Sequence, residues 1–272
     1  MSVQLFSSAN GGTTWTSPPT PPTNLYAIQA MATSHGTSSS GANVVVCRTV
    51  QTPANVGCYF STDAGATFVP ATTGLASVTS MDFPQGNTIA MSSTGAKVLV
   101  ATLTLSRGAS GLYLSTNSGA DYTALAGPGP QVWLSVAMSS DGNKMAAMAG
   151  SSIWTSIDGG SSWTSTNLPF TAYLTVSSLA MSGDGTQLLA ATAIVGNGLI
   201  YTSSDFGSTW TLARKLCDNV FATCTDPSKY PTSCRTKLPT AVSQTGSVMA
   251  VSVFSGGLYI STDTGSTWAV AQ

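Results

Sequence analysis

Short apolar segments that lead into polar turns recur along the whole chain. Segments such as GLYLS from Gly111, GLIYT from Gly198 and GLYIS from Gly257 each precede a turn rich in Ser, Asp and Gly. A short apolar strand followed by such a turn is typical of a β-hairpin. The pattern therefore predicts an all-β chain built from hairpins.

An eight-residue motif marks six of these turns. Its consensus is S-x-[DN]-x-G-x-[ST]-[WFY]; we number its positions 1 to 8 and call each copy a box. The copies are SANGGTTW from Ser8, STDAGATF from Ser61, STNSGADY from Ser115, SIDGGSSW from Ser156, SSDFGSTW from Ser203 and STDTGSTW from Ser261.

Turn geometry accounts for the consensus residues. The oxygen at position 3 accepts backbone N–H bonds across the turn, Gly at position 5 takes a positive φ angle, and the aromatic packs on the sheet. Asp121, in the third copy, is expected at a position of the box where the residue varies between copies. We therefore expect a structural role, without metal, for the position 3 residues Asn10, Asp63, Asn117, Asp158, Asp205 and Asp263.

A second hairpin precedes five of the six boxes. It is clear in AMSSTGAKVLVAT from Ala90, AMSSDGNKMAAMA from Ala137, AMSGDGTQLLAAT from Ala180 and AVSQTGSVMAVSV from Ala241, and looser after Ala30. Each reads as a strand, a turn and a second strand. Two hairpins in each repeat give four antiparallel strands, as a propeller blade requires.

The boxes closely match the Asp-box, or BNR repeat, and the chain resembles Asp-box β-propellers over nearly its whole length. The resemblance implies a propeller but leaves function open, because similar repeats occur in sialidases, xyloglucan hydrolases, sorting receptors, a photosystem assembly factor and lectin-like proteins.

Counting strands predicts an all-β propeller of about six blade positions. Strands A and B form the upstream hairpin, C leads into the box and D follows it, which gives five complete A-B-C-D units and an N-terminal C–D hairpin over residues 1–16. We expect one domain over residues 1–272 with a Cys-containing insertion at 214–239. The ring could be five blades plus a hairpin, or borrow strands from another chain, but we favour six positions with a defective first blade.

The composition argues against several partners. Charged residues make up 7% of the chain and the net charge is -1, so no basic stripe is available to neutralise nucleic-acid phosphates. No apolar run is long enough for a membrane span, and the first residues lack the pattern of a secretion signal. The chain is expected to be soluble.

The five cysteines favour an oxidising location, extracellular or on a particle surface. Cys47 and Cys58 flank a short loop, and we expect them on neighbouring strands where a disulfide is feasible. Cys217, Cys224 and Cys234 lie in the insertion without zinc-site spacing, so disulfides are favoured over reduced thiols. An odd number leaves at least one cysteine unpaired or bonded to another chain.

The sequence contains few candidate catalytic residues. The chain has ten acidic residues, all Asp, and most fall in boxes or, like Asp141 and Asp184, in A–B turns. Asp82, Asp218 and Asp226 remain, whereas glycoside hydrolysis usually needs two facing carboxyl groups. The single histidine, His35, lies in a polar turn. We therefore expect neither an enzyme nor a cofactor.

Ligand candidates lie in the loops opposite the boxes and near the start of strand A. Exposed aromatics beside neutral polar groups suit sugar rings, although each aromatic could instead pack between blades. The predicted ligand-binding residues are Tyr26, Trp133, Tyr173, Arg107 and Asn197.

Together these features favour a non-catalytic, lectin-like recognition module that binds a glycan or a surface protein. One alternative is a structural protein of an extracellular or viral shell, which forms a homo-oligomer through the incomplete first blade or an unpaired cysteine. A second alternative is a sialidase-like glycoside hydrolase.

Overall fold

The computed structural model describes residues 6, 13–17, 28–33, 42–48, 57–71, 73–75, 88–102, 111–169, 176–194, 197–215, 238–253 and 257–271. Within these ranges it shows twenty β-strands in five four-stranded antiparallel sheets. Each sheet follows chain order, so its strands correspond to A, B, C and D of one predicted unit. The prediction of an all-β fold with five complete units is therefore confirmed.

The strands of each sheet are as follows. Sheet 1 contains β1 (Ile28–Thr33), β2 (Val44–Arg48), β3 (Cys58–Ser61) and β4 (Val69–Pro70). Sheet 2 contains β5 (Ile89–Met91), β6 (Val98–Thr102), β7 (Gly111–Ser115) and β8 (Thr123–Ala124). Sheet 3 contains β9 (Trp133–Met138), β10 (Met145–Ala149), β11 (Ser152–Ser156) and β12 (Thr164–Asn167). Sheet 4 contains β13 (Val176–Met181), β14 (Leu188–Ile194), β15 (Asn197–Ser203) and β16 (Thr211–Lys215). Sheet 5 contains β17 (Thr240–Val242), β18 (Met249–Val253), β19 (Gly257–Ser261) and β20 (Ala269–Val270).

Burial changes across each sheet from strand B to strand D. Every residue of β6 and β10 is buried, because a B strand is paired on both sides and covered on both faces. Every residue of β4, β8 and β20 is exposed. D strands are edge strands, and the short length of these three, two residues each, limits pairing with other chains.

The chain divides into two compact units, each with its own core. The first comprises Met1–Pro84 and Ile89–Pro130, and therefore sheets 1 and 2. Its core joins residues of both sheets, among them Val45, Cys47, Val98, Val100 and Tyr122.

The second unit comprises Gln85–Thr88 and Gln131–Gln272, and therefore sheets 3, 4 and 5. One cluster, which includes Met148, Ile153 and Tyr201, packs sheet 3 against sheet 4. Another, which includes Met249 and Trp268, packs sheet 4 against sheet 5. In both units the apolar faces of consecutive sheets cover each other.

The N-terminal hairpin lies largely outside the described residues, as do the insertion at 216–237 and Asn10. Among the described ranges, no helix has the length and apolar character needed to cross a bilayer.

Candidate functional site

The serine at position 1 organises each box. In the five boxes that the structure describes, its hydroxyl donates to the Asp or Asn at position 3 and accepts the backbone N–H of the glycine at position 5. The first contact measures 2.7 to 2.9 Å, and the second also measures 2.7 to 2.9 Å. Each buried serine oxygen is thereby satisfied.

The carboxylate at position 3 receives further hydrogen bonds from position 7. In sheet 3, Ser162 donates its backbone N–H to Asp158 Oδ1 at 2.9 Å and its hydroxyl to Oδ2 at 2.6 Å. The Ser162 hydroxyl, then its backbone N–H and the Ser156 hydroxyl, lower the pKa of Asp158 from 3.8 to about 2. The carboxylates of Asp63 and Asp263 have the same arrangement, and their pKa values are also about 2.

Asp121 corrects one prediction, because it occupies position 7 and not a variable place. Asn117 at position 3 donates from its side-chain nitrogen to Asp121 Oδ2 at 2.9 Å. Asp121 in turn donates its backbone N–H to Asn117 Oδ1 at 2.9 Å. Donor and acceptor have exchanged places relative to the Asp–Thr boxes, and the turn keeps the same shape.

Position 4 links each box to the A–B turn of its own sheet. Its backbone N–H donates to the carbonyl oxygen two residues before strand B, with lengths of 2.8 to 3.2 Å in the five sheets. The residue needs a left-handed backbone to do so, with φ near 60° at Ala64, Ser118, Phe206 and Thr264. Sequence reasoning assigned the positive φ to position 5 alone.

Position 5 also brings the box against the preceding sheet. A Cβ on Gly265 of sheet 5 would lie 2.6 Å from Cγ2 of Thr202 in sheet 4. A Cβ on Gly207 of sheet 4 would lie 3.3 Å from Cγ2 of Thr155 in sheet 3. Thr155 and Thr202 each precede the position 1 serine of their own sheet, so the packing repeats along the unit.

The A–B turns form a second set of contacts between sheets. In the second unit, Ser140 N–H donates to the Gly183 carbonyl and Gly183 N–H donates to the Gln244 carbonyl, each at 2.8 Å. Gln244 Nε2 also donates to Ser140 Oγ at 2.5 Å. These turns therefore hold sheets 3, 4 and 5 together mainly through backbone groups, and the Lys144 ammonium adds a bond to the Asp184 carbonyl.

A groove of about 360 Å³ lies between strand D of sheet 4 and the box of sheet 5. Seven of its eleven lining residues carry a hydroxyl and none is charged. The lining residues are Gln187, Thr202, Ser203, Ser204, Thr209, Thr211, Leu212, Ala213, Thr264, Gly265 and Ser266. Its size is at the lower end of the ~300–1,000 Å³ typical of small-molecule sites.

Four hydroxyls in this groove make no hydrogen bond with any other part of the chain that the structure describes: Thr202, Ser204, Thr211 and Ser266. By contrast, Ser203 and Thr209 use their hydroxyls inside the box. The groove therefore offers donors and acceptors for a ligand, beside the apolar side chains of Leu212 and Ala213. Sequence reasoning missed it, because it depends on which hydroxyls the box leaves unused.

Arg214 holds the two sheets together beside the groove. Its guanidinium carbon lies 5.2 Å from the ring centroid of Tyr259, and Nη1 donates to the carbonyl of Trp268 at 3.2 Å. Strand D of sheet 4 is thus fixed against the core of sheet 5, which gives the groove a stable wall.

Several of the described acidic groups accept hydrogen bonds within turns. The carboxylates of Asp63, Asp158, Asp205 and Asp263 serve their boxes, and Asp184 accepts from Ser182 and Thr186 in an A–B turn. Across the described ranges, no group of three or more His, Cys, Asp or Glu could hold a metal ion. Asp82, Asp218, Asp226 and His35 lie outside these ranges.

Trp133 is the one predicted aromatic that the structure describes, and it is fully buried, with 0% exposure. The prediction of an exposed stacking platform is wrong there, because the side chain points into the interior from strand A of sheet 3. Its indole nitrogen is buried without a hydrogen bond to the described part of the chain. Tyr26, Arg107 and Tyr173, and the side chain of Asn197, lie outside the described residues.

Cys47 and Cys58 form the predicted disulfide. They are directly opposite each other on β2 and β3, with Cα atoms 4.1 Å apart. Both are buried. Cys217, Cys224 and Cys234 lie outside the described residues.

Comparison with solved structures shows the fold, a β-propeller. The chain is similar to an ancestral GH74 enzyme, with a TM-score of 0.60, 17% identity, and coverage of 97% of this chain and 35% of that one. It is also similar to a protein described as TolB from Agrobacterium tumefaciens (TM-score 0.53, 14% identity, coverage 89% and 80%). A nidogen–laminin complex gives a TM-score of 0.52 at 8% identity, with coverage of 85% and 73%.

The chain spans only 35% to 53% of the length of the GH74 structures that it matches. No protein-family model and no curated protein sequence matches it. Since the structural neighbours include both enzymes and non-enzymes, the likeness is informative about fold and not about activity.

Proposed function

We propose that this protein is a non-catalytic recognition module that binds carbohydrate. The observation that carries the proposal is the uncharged groove between sheets 4 and 5, with the unused hydroxyls of Thr202, Ser204, Thr211 and Ser266. A sugar ring presents hydroxyls and C–H faces and no charge, so neutral donors and acceptors beside Leu212 suit it.

The proposal assigns the boxes a structural role in an Asp-box β-propeller. Support comes from five described boxes that share one hydrogen-bond pattern. Because the carboxylates of Asp63, Asp158, Asp205 and Asp263 accept hydrogen bonds inside their boxes, we do not assign them as the paired acids that glycoside hydrolysis usually needs. Recognition without turnover is therefore favoured over a hydrolase.

We place the protein outside the cell or on a particle surface, with a glycan or a surface protein as partner and not nucleic acid. The disulfide between Cys47 and Cys58 is compatible with an oxidising location. A homo-oligomer through the first hairpin or an unpaired cysteine is the corresponding proposal for assembly. It would fit the alternative function as a structural shell protein.

A glycan array with purified protein, together with its mass in solution, tests the proposal. Saturable binding to a neutral glycan is expected for the natural protein and should be lost in Thr211→Trp, which fills the groove. Thr164→Trp is the control, because Thr164 is the exposed first residue of strand D in sheet 3 and does not line the groove.

The alternatives predict other results. A silent array with a discrete multimer would favour the structural protein. Release of reducing sugar from a glycan would favour the hydrolase.

A further inference from the structure

Two positions lie close together where the box of sheet 4 or sheet 5 packs against the preceding sheet of the second unit. One is position 4 of the box, and the other is the residue directly before strand B of the preceding sheet. Between sheets 4 and 5 these residues are Thr264 and Gln187, and both line the groove. Between sheets 3 and 4 the equivalent residues are Phe206 and Lys144.

Phe206 and Lys144 contact each other. The Lys144 ammonium lies 5.5 Å from the ring centroid of Phe206, within the range of a cation–π interaction. The same ammonium donates to the carbonyl of Asp184 in the A–B turn of sheet 4 at 2.9 Å. The aromatic ring and the lysine chain thus occupy the space that Thr264 and Gln187 leave open.

A third position also differs between the two places, the one between sheets 3 and 4 and the one between sheets 4 and 5. The third residue of strand D is Thr166 in sheet 3, and its hydroxyl donates to the carbonyl of Gly207 in the box of sheet 4 at 2.7 Å. In sheet 4 the third residue of strand D is Ala213, which carries no hydroxyl to bridge to Gly265. Strand D of sheet 4 instead reaches the box of sheet 5 through Arg214, whose Nη1 donates to the carbonyl of Trp268 at 3.2 Å, while Ala213 and Gly265 line the groove.

We infer that Gln187, Thr264 and Ala213 determine where the sugar binds, by keeping the place between sheets 4 and 5 open. Lys144, Phe206 and Thr166 close the equivalent place between sheets 3 and 4. The inference rests on the proposed carbohydrate recognition and assigns it to one groove of the second unit.

The first experiment closes the groove with the residues of its neighbour, Gln187→Lys with Thr264→Phe. The backbone accepts Phe at position 4, since φ is 57° at Phe206 and 58° at Thr264. Protein with methyl-labelled threonines is titrated with maltose, cellobiose and lactose. In the natural protein the methyls of Thr202 and Thr211 should shift with at least one sugar, and closure should weaken binding of that sugar by about tenfold or more.

The second experiment opens the neighbouring place with Lys144→Gln, Phe206→Thr and Thr166→Ala. The methyls of Thr155 and Thr164 should then shift with the same sugar, in addition to those of Thr202 and Thr211. Thermal unfolding of both variants establishes that each is folded.

The outcomes distinguish failure of the assignment to this groove from failure of carbohydrate recognition itself. If the folded closing variant binds the sugar as tightly as the natural protein, the assignment to this groove is overturned while carbohydrate recognition stands. If no sugar of the panel shifts any threonine and the glycan array is silent, the proposed recognition fails, and this inference fails with it.

Discussion

The side-chain nitrogen of Asn117 donates to the carboxylate of Asp121 at 2.9 Å. In sheet 1 the same two positions hold Asp63 and Thr67, and the direction of the bond is reversed, with the Thr67 hydroxyl donating to the Asp63 carboxylate at 2.5 Å. A box therefore needs one donor and one acceptor across positions 3 and 7, and either order satisfies it.

This exchange predicts that substitutions at Asn117 and Asp121 have strongly coupled effects on the free energy of unfolding. Asn117→Asp alone places two carboxylates against each other and should lower the free energy of unfolding by about 1 kcal/mol. Adding Asp121→Thr should restore most of that loss by recreating the arrangement of sheet 1. Urea unfolding of both single variants and the double variant at pH 7 measures the coupling; additive losses would contradict the exchange.

The box carboxylates predict a fall in stability in acid. The pKa values of Asp63, Asp158 and Asp263 are about 2 in the folded protein, below the usual 3.8, because hydroxyl and backbone donors stabilise the ionised form. Their contribution is complete above pH 3.8 and is lost as the pH falls toward 2. Denaturant unfolding between pH 5 and pH 2 should show this decline.

Asp158→Asn provides the matching variant for that experiment. It should be less stable than the natural protein at neutral pH and should lose less stability in acid, because one titrating group has been removed. An unchanged dependence on pH would show that Asp158 does not contribute.

Close packing at position 5 predicts that a Gly→Ala substitution there lowers the free energy of unfolding by different amounts in different boxes. Gly265→Ala combines a positive φ with a contact of 2.6 Å to Thr202, so it should lose about 2 to 4 kcal/mol. Gly65→Ala has a similar φ, but its Cβ would lie 3.7 Å from the nearest described atom, on Phe68, so about 1 kcal/mol is expected. Thr202→Ser removes the nearest methyl and should rescue part of the Gly265→Ala loss. Equal losses at the two glycines would rule out the contact.

The disulfide predicts a measurable contribution to stability in the first unit. Replacing Cys47 and Cys58 by Ala opens a loop with a sequence separation of 11, and the free energy of unfolding should fall by about 2 to 3 kcal/mol. Both residues are buried, so a mild reductant should reach the bond only when the unit opens. Thermal unfolding of the double variant, and thiol labelling of the natural protein in reductant, check the two statements. Rapid labelling of these two thiols under native conditions would contradict the second.

The sequence predicted the features that depend on neighbouring residues in the chain. The five sheets follow from apolar segments around turns, and the pairing of Cys47 with Cys58 follows from a short hairpin. The structural role of Asp158 follows from turn chemistry. In each case the partners are separated by a single turn or hairpin, so local pattern is sufficient.

The features that the sequence did not predict depend on contacts between segments that are not consecutive in the chain. For Trp133 the sequence leaves open a ligand-binding position at the surface or packing between blades, and contacts in the folded chain decide its burial. The left-handed backbone at Phe206 follows from a hydrogen bond to the A–B turn. The groove beside Thr264 follows from the side chains of two different sheets.

Position 4 of the box has a consequence for how such a chain can diversify. Its backbone N–H makes the hydrogen bond to the A–B turn, while the residue itself is Ala, Ser, Gly, Phe or Thr in the five described boxes. Since the hairpin does not depend on that side chain, substitution there can alter the space between two sheets and leave the scaffold intact. A chain assembled from duplicated units would thus possess, in every copy, one site where new specificity can arise without the loss of foldability.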